Sequence, residues 1–512
     1  MSTAQSDNTV FDYLVVGGGA AGSVLAARLS EDSDVTVALI EAGPSDENEP
    51  RALQLSRWFE MLEGEYDLDY LSVEQERGNS HIRQARARIL GGCASHNTMI
   101  AFKTPTEDLD SWVAAGAQGW DGQTLRPYFD RLQVPIQPVI PEHRNPFLTD
   151  VTTAAQTALG VPAVDDWNDG ELRTGAGFFP VGYDPQTGVR GSSSVWYVHP
   201  VMHERANLSV LLETTALTVE FDGLRATGVT VKNPDGTTTL LSARREVILS
   251  CGAIDTPALL IRSGVGRQSD VTALGIPCVI DLPGVGENLM DHPEGLVIWE
   301  STVPMSEPRV SDWDAGILAR FDGDNGFPDL MFHLPLMTFG VHAERLGYKL
   351  PENTVSITPN VPRPKSRGRV WLESADPSVP PKIDYRYFTD PDGYDETMML
   401  KGVELARQIA ATEPMKSWIV REVFPGPDVE GEELAELVRR TNHTVYHVSG
   451  TCRMGSIDDP QAVVDPQLRV RGLESLRIVD ASVFPILTTI NPMVTLYMMG
   501  ERASDIIRTG VI

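Results

Sequence analysis

Two short apolar runs stand near the amino end of the chain, FDYLVV at 11–16 and DVTVALI at 34–40. Both are rich in β-branched and aromatic residues and too short for core helices, which predicts two buried strands. Between them Gly17-Gly18-Gly19-Ala20-Ala21-Gly22 breaks the pattern, and SVLAARLS resumes it as a small-residue helix. Strand, glycine turn, helix and strand together predict a βαβ unit. LRIVD at 476–480 predicts another buried strand. TVSITPNV (354–361) and GRVWLES (368–374) alternate apolar with polar residues and predict strands of one antiparallel sheet. LQLSRWFEML (53–62) has helical spacing and predicts an amphipathic helix carrying Trp58. Asn491-Pro492 ahead of an apolar run predicts a helix start, with Asn as cap and Pro as first residue. Residues 1–9 carry no pattern and are expected to form a loose tail.

At 512 residues the chain is too long for one ordinary domain. Its 41% apolar and 22% charged residues suit a globular protein with a sizeable core. Cys93, Cys251, Cys278 and Cys452 form no CxxC pair, which argues against a disulfide framework and against zinc. No paired spacing such as HxxxH joins His292 or His333 to nearby carboxylates, so no metal is expected. A net charge of −29 disfavours nucleic acid and anionic membranes as partners. Many of the acids sit in runs such as DVEGEELAEL (428–437), the solvated face of a helix. There is no apolar run of membrane length, and the polar start lacks the basic and apolar regions of a signal peptide. The expectation is a cytoplasmic enzyme.

The first βαβ unit carries chemistry. Gly17, Gly19 and Gly22 permit a tight turn and close backbone approach, the helix start can receive a pyrophosphate, and Glu41 can accept from a ribose hydroxyl. An acid at 41 disfavours a 2′-phosphate, which leaves FAD and NAD. In RARILGGCASHNTMIAF (86–102), Gly91 and Gly92 would admit a flat ligand. His96 could be a satisfied polar residue, a ligand or a covalent anchor, and its position alone does not separate these.

Several blocks together carry a resemblance. They are the glycine turn with Glu41, LGGCASHN (90–97), GAIDTPALLIRSGVG (252–266), GVGENLMDHPEG (284–295), YHVSGTCRMG (446–455) and VDASVFPILTTINPMVT (479–495). In this order, spread nearly end to end, the chain resembles the glucose–methanol–choline (GMC) family of FAD-dependent oxidoreductases, and its choline-oxidising branch in particular. The resemblance implies an α/β fold, α+β overall. A Rossmann-like FAD-binding domain would comprise 1–150, 196–295 and 440–512, and an inserted antiparallel-sheet substrate domain 151–195 and 296–439. It implies FAD joined through its 8α-methyl group to His96, with Asn97, Thr98, Asp480, Asn491 and Pro492 also against the cofactor. Thr98 stands where relatives have serine, adding a methyl group on the flavin side. The helix after Pro492 would direct its positive end at the flavin.

Oxidising a primary alcohol requires that a hydroxyl proton be accepted while hydride leaves the same carbon. The resemblance assigns that position to His447, with Asn491 beside it, and places His292 and His333 as further polar groups near the substrate oxygen. Each also has a plain reading as a buried, satisfied histidine. A quaternary ammonium group donates no N–H hydrogen bond, so it requires aromatic faces and a negative charge. The family's choline-binding positions fall on Trp58, Trp313, Tyr446 and Glu294, and Val445 occupies the small apolar position near the flavin that favours oxygen as acceptor. Singly, Trp58 and Trp313 also read as packing residues. The implied reaction is choline to betaine aldehyde and on to glycine betaine, with O2 reduced to hydrogen peroxide, in a homodimer. A neutral aliphatic or aryl alcohol, or a dehydrogenase using another acceptor, are the alternatives.

Overall fold

The computed structural model describes residues 9–305, 309–311, 313–321 and 326–510. Most of the expected tail, residues 1–8, lies outside the described residues, whereas Thr9 already opens the first strand, Thr9–Val16.

The predicted βαβ unit forms as strand Thr9–Val16, helix Ala20–Leu29 and strand Val37–Ile40. The two strands run parallel, Val16 opposite Ile40, because both faces are covered and the apolar run can be buried throughout. Strand Thr238–Leu249 adds in parallel on the other side of Thr9–Val16, and Leu476–Ile478 pairs beyond it. The strand 208–211 completes this parallel layer, and 215–222 with 225–232 extend it as an antiparallel meander to seven strands. The carboxyl end of Thr9–Val16 is the central opening of the layer, where an open α/β sheet places its ligand.

A second sheet has eight strands and is antiparallel. Its main path runs 419–424, 297–301, 354–360, 330–333, 315–319 and 175–178. Two-residue strands Pro293–Glu294 and His443–Thr444 pair with each other, and Glu294 also pairs with Asn360. The second sheet therefore draws in residues on both sides of the expected breaks at 295 and 440. Among the described residues no helix is long and apolar enough to cross a membrane.

Three local expectations are corrected. The segment 368–371 does form a strand, but it joins a separate three-stranded sheet with 287–289 and 382–384 rather than the sheet of 354–360. Leu55–Met61 is a 3₁₀ helix rather than an amphipathic α-helix. Its tighter turn suits a short connector, and it buries Trp58, whose indole N–H donates to the Ser311 carbonyl at 2.8 Å. The last helix, Met493–Thr509, is capped by Pro492 rather than Asn491. Asn491 is thereby released from capping, and its amide serves the site described next.

Candidate active site

One cavity lies where the two sheets meet. Its walls come from 85–100, from Glu294, from 443–448 and from 491–496, with Trp58, Trp313, His333 and Phe339 added singly.

His447 stands in this cavity, and its tautomer follows from its neighbours. His292 Nε2 lies 2.8 Å from the Pro362 carbonyl and 3.0 Å from the Thr488 carbonyl. Carbonyls only accept, so this nitrogen carries the hydrogen. Burial keeps His292 neutral, pulling it down to about 3 despite those two carbonyls. Its Nδ1 is then an acceptor, and it faces His447 Nδ1 at 2.8 Å. His447 must donate there and so presents a bare lone pair at Nε2. The Asn491 amide donates to that lone pair at 3.3 Å. Burial, reinforced by the charge of neighbouring histidines and Arg86, holds His447 well below the ordinary histidine range. The result is a neutral imidazole whose unprotonated nitrogen, held by the Asn491 amide, can accept a proton.

The backbone around His447 is pinned. The buried Asp291 carboxylate accepts the His447 N–H at 2.8 Å, the Tyr387 hydroxyl at 2.5 Å and the Thr444 hydroxyl. Burial raises Asp291 to about 6, against the lowering effect of these donors. Tyr446 takes the left-handed conformation, φ +66°, which is uncommon for a bulky residue. Its N–H donates to Thr444 Oγ1 at 2.7 Å, and its carbonyl accepts from Arg86 at 2.6 Å.

Glu294 is 1% exposed. Its Oε1 accepts from His333 Nδ1 at 2.6 Å and from the Thr358 hydroxyl at 3.0 Å, and its Oε2 lies 3.4 Å from His443 Nε2. Trp313 packs edge-on to His333 and to Phe339, each with ring centroids 5.5 Å apart. Trp58, Tyr446 and Val445 face the same cavity. The cavity thus combines a carboxylate, aromatic rings and an imidazole whose Nε2 carries no hydrogen. His333 Nε2 is buried without a hydrogen-bond partner among the described residues.

On the other wall the residues fit an FAD. The turn at 90–92 docks on the glycine loop, Gly91 N–H donating to the Gly18 carbonyl at 2.7 Å. Gly92 has φ +53°, and a Cβ there would stand 2.8 Å from Gly19 Cα. Gly17 at φ +105° opens the loop, and Gly22 packs its Cα side against Gly17. The helix that follows has no side-chain cap, which leaves its positive end for a phosphate. Glu41, raised to about 7 by burial, accepts from the N–H groups of Gly43 at 2.8 Å and Gly18 at 2.9 Å. His96, Asn97 and Thr98 line the cavity, and the buried Nδ1 of His96 and Oδ1 of Asn491 have no hydrogen-bond partner among the described residues. Pro492 and Met493 bring the start of the last helix to the same wall. Asp480 is not among the residues that line this cavity. It accepts from Gly252 N–H at 2.9 Å, Thr256 Oγ1 at 2.6 Å, and Ser482 N–H at 2.8 Å, holding a helix start instead.

Sequence reasoning missed six residues that shape the site. Arg190 is fully buried and donates to the carbonyls of Ala94 at 3.0 Å and Asn97 at 2.9 Å, clamping the segment that carries His96. Arg86 lies 3.4 Å from Cys93 Sγ. Burial alone would raise the Cys93 thiol, but Arg86 and His96 bring it down to about 6. Asp291, His443 and Phe339 complete the set. Arg190 and Phe339 carry no local signal, whereas Cys93 lies inside LGGCASHN and His443 stands four residues before His447. Only the Asp291-His292 step within a recognised block could have drawn attention to Asp291.

Comparison with known proteins agrees with this architecture. The chain is 44% identical over 98% of its length to choline oxidase of Arthrobacter globiformis, covering 94% of that protein. It is 33% identical to human mitochondrial choline dehydrogenase, over 99% of this chain and 91% of that one. The fold superposes on pyridoxine 4-oxidase from Mesorbium loti with a TM-score of 0.90 and 26% identity, covering 97% of this chain and 98% of the other. Residues 11–294 and 364–500 match the two GMC oxidoreductase family models, and the chain belongs to the GMC oxidoreductases, FAD-dependent enzymes that oxidise alcohols.

Proposed function

We propose that this protein oxidises choline to betaine aldehyde and, through the aldehyde hydrate, to glycine betaine, with O2 as acceptor and hydrogen peroxide as product. The observation that carries the reading is Glu294. A carboxylate that is 1% exposed and lines one cavity with Trp58, Trp313, Phe339 and Tyr446 offers an ammonium group a negative charge among aromatic faces. The same carboxylate shares a cavity with the bare nitrogen of His447, where an alcohol's proton can go.

FAD held by the glycine turns and the 96–98 segment would supply a two-electron acceptor for the alcohol's hydride and for reduction of oxygen. Glu294 and the rings hold the ammonium group. His447 Nε2 accepts the hydroxyl proton, and the Asn491 amide keeps that nitrogen aimed into the cavity. His292 fixes the His447 tautomer, and His333, its Nδ1 hydrogen held by Glu294, is the further polar group proposed beside the substrate. His96 is the proposed point of covalent attachment of FAD, and Val445 the apolar contact that favours oxygen. The homodimer and the cytoplasmic placement rest on family resemblance.

The test is a panel of choline, betaine aldehyde and 3,3-dimethylbutan-1-ol, the neutral isostere of choline, with peroxide detection. Choline should be preferred, and Glu294→Gln should erase that preference while sparing the isostere. Equal losses on both substrates would refute cation recognition. Negligible oxygen uptake with rapid dye reduction would replace the oxidase with a dehydrogenase. Yellow colour should remain with acid-precipitated protein; complete release of flavin would refute attachment at His96.

A further inference from the structure

Glu294 has a second neighbour whose hydrogen bonding is incomplete. His443 pairs with Glu294 across two adjacent short strands. Its Nδ1 lies 3.0 Å from the Thr444 carbonyl, which only accepts, so Nδ1 carries a hydrogen. In a neutral ring Nε2 then has only a lone pair, and it faces Glu294 Oε2 at 3.4 Å with no hydrogen-bond partner among the described residues. Two acceptors facing each other in a buried site repel. A proton on Nε2 turns the same contact into an ion pair.

We propose that His443 is a proton-operated competitor of the substrate for Glu294: protonated, it pairs with the carboxylate and weakens cation binding, and neutral, it leaves the charge to the substrate. The proposal rests on the reading of Glu294 as the cation-binding carboxylate and adds what regulates it.

Other polar and titratable groups face the same pair. Phe339 stacks on it with centroids 6.0 Å apart, and His342 with centroids 6.2 Å apart. His342 is pulled down to about 3 by burial and by the charges of His443, Arg345 and exposed His81, so it stays neutral. His333 already donates to the other oxygen of Glu294. Burial and Glu294 raise the Tyr446 phenol, which stays protonated. A quaternary ammonium does not titrate at all.

The measurement is the inhibition constant of tetramethylammonium, a cation with no hydroxyl to oxidise, on the flavin-loaded enzyme between about pH 6 and pH 9. In the unaltered enzyme it should rise by up to about tenfold for each pH unit below the His443 titration, the limit for one competing proton. The KM of the neutral isostere 3,3-dimethylbutan-1-ol should lack that rise. His443→Asn, or His443→Gln if the first fails to fold, should flatten the tetramethylammonium profile. Retention of the slope in a folded, yellow variant overturns the proposal, and so does an identical slope for the neutral isostere in the unaltered enzyme. If instead Glu294→Gln leaves the choline preference intact, the underlying reading fails, which separates the two.

Discussion

The two walls of the cavity are built on opposite principles. The cofactor wall is made of backbone: Gly17, Gly22, Gly91 and Gly92 bring main chain against main chain, and helix starts supply partial charge. The substrate wall is made of side chains borrowed from distant strands and loops, Glu294, His333, His443 and His447 among them. A backbone site is contiguous and fails when a Cβ is added. A side-chain site is scattered and fails when a functional group is removed. The difference explains why one wall is readable as a motif and the other only as a set.

The comparison is broken most severely from the cofactor side. Gly92→Val places a branched side chain at φ +53° against Gly19 Cα, so flavin content should fall below about a tenth of the unaltered level, read as absorbance near 450 nm per protein. Full flavin content would mean the glycine turn is not the cradle. On the substrate wall, His447→Ala should keep its flavin but reduce it anaerobically about 10²- to 10⁴-fold more slowly, the usual worth of a general base. A smaller effect follows from Trp313→Ala, which removes one ring and should weaken choline by about 0.5–2 kcal/mol with little change for a neutral alcohol. Matched losses would make Trp313 a packing residue only.

The smallest effect is in stability. His292 sits at about 3 in the folded protein against an ordinary 6.5, so between those values the unfolded chain takes up a proton that the folded one refuses. Its contribution is complete above about pH 6.5 and is lost as pH falls toward 3. Asp291, raised to about 6, works in the opposite direction as its own titration is crossed. His292→Gln should therefore reduce proton uptake on unfolding near pH 5 by about one, measured from the pH dependence of denaturant unfolding. An unchanged uptake would mean that His292 is already charged in the folded enzyme, and the tautomer assigned to His447 would fall with it.

Local patterns carried far where the structure is local. The run FDYLVV, the glycine turn and Glu41 predicted strand, loop and helix because each segment is buried on its own terms. They failed where neighbours decide. Trp58 shows helical spacing, yet its indole is committed to Ser311, and the segment is a 3₁₀ connector. Asn491 looked like a cap, but its amide finds His447 while Pro492 takes the cap position. Asp480 ends a strand as expected, but Thr256 and Ser482 claim its carboxylate. Arg190 gave no signal because its partners are main-chain carbonyls almost a hundred residues earlier.

By itself the sequence determined the βαβ unit, the place of the dinucleotide and the residue types available for alcohol oxidation, since periodicity and glycine conformation act over a few residues. Only the tertiary structure decided which nitrogen of His447 carries no hydrogen, that His443 faces Glu294 with a lone pair, and which donors the Asp480 carboxylate meets. Hydrogen-bond direction and burial depend on which atoms are brought together from distant parts of the chain, and no local pattern encodes them.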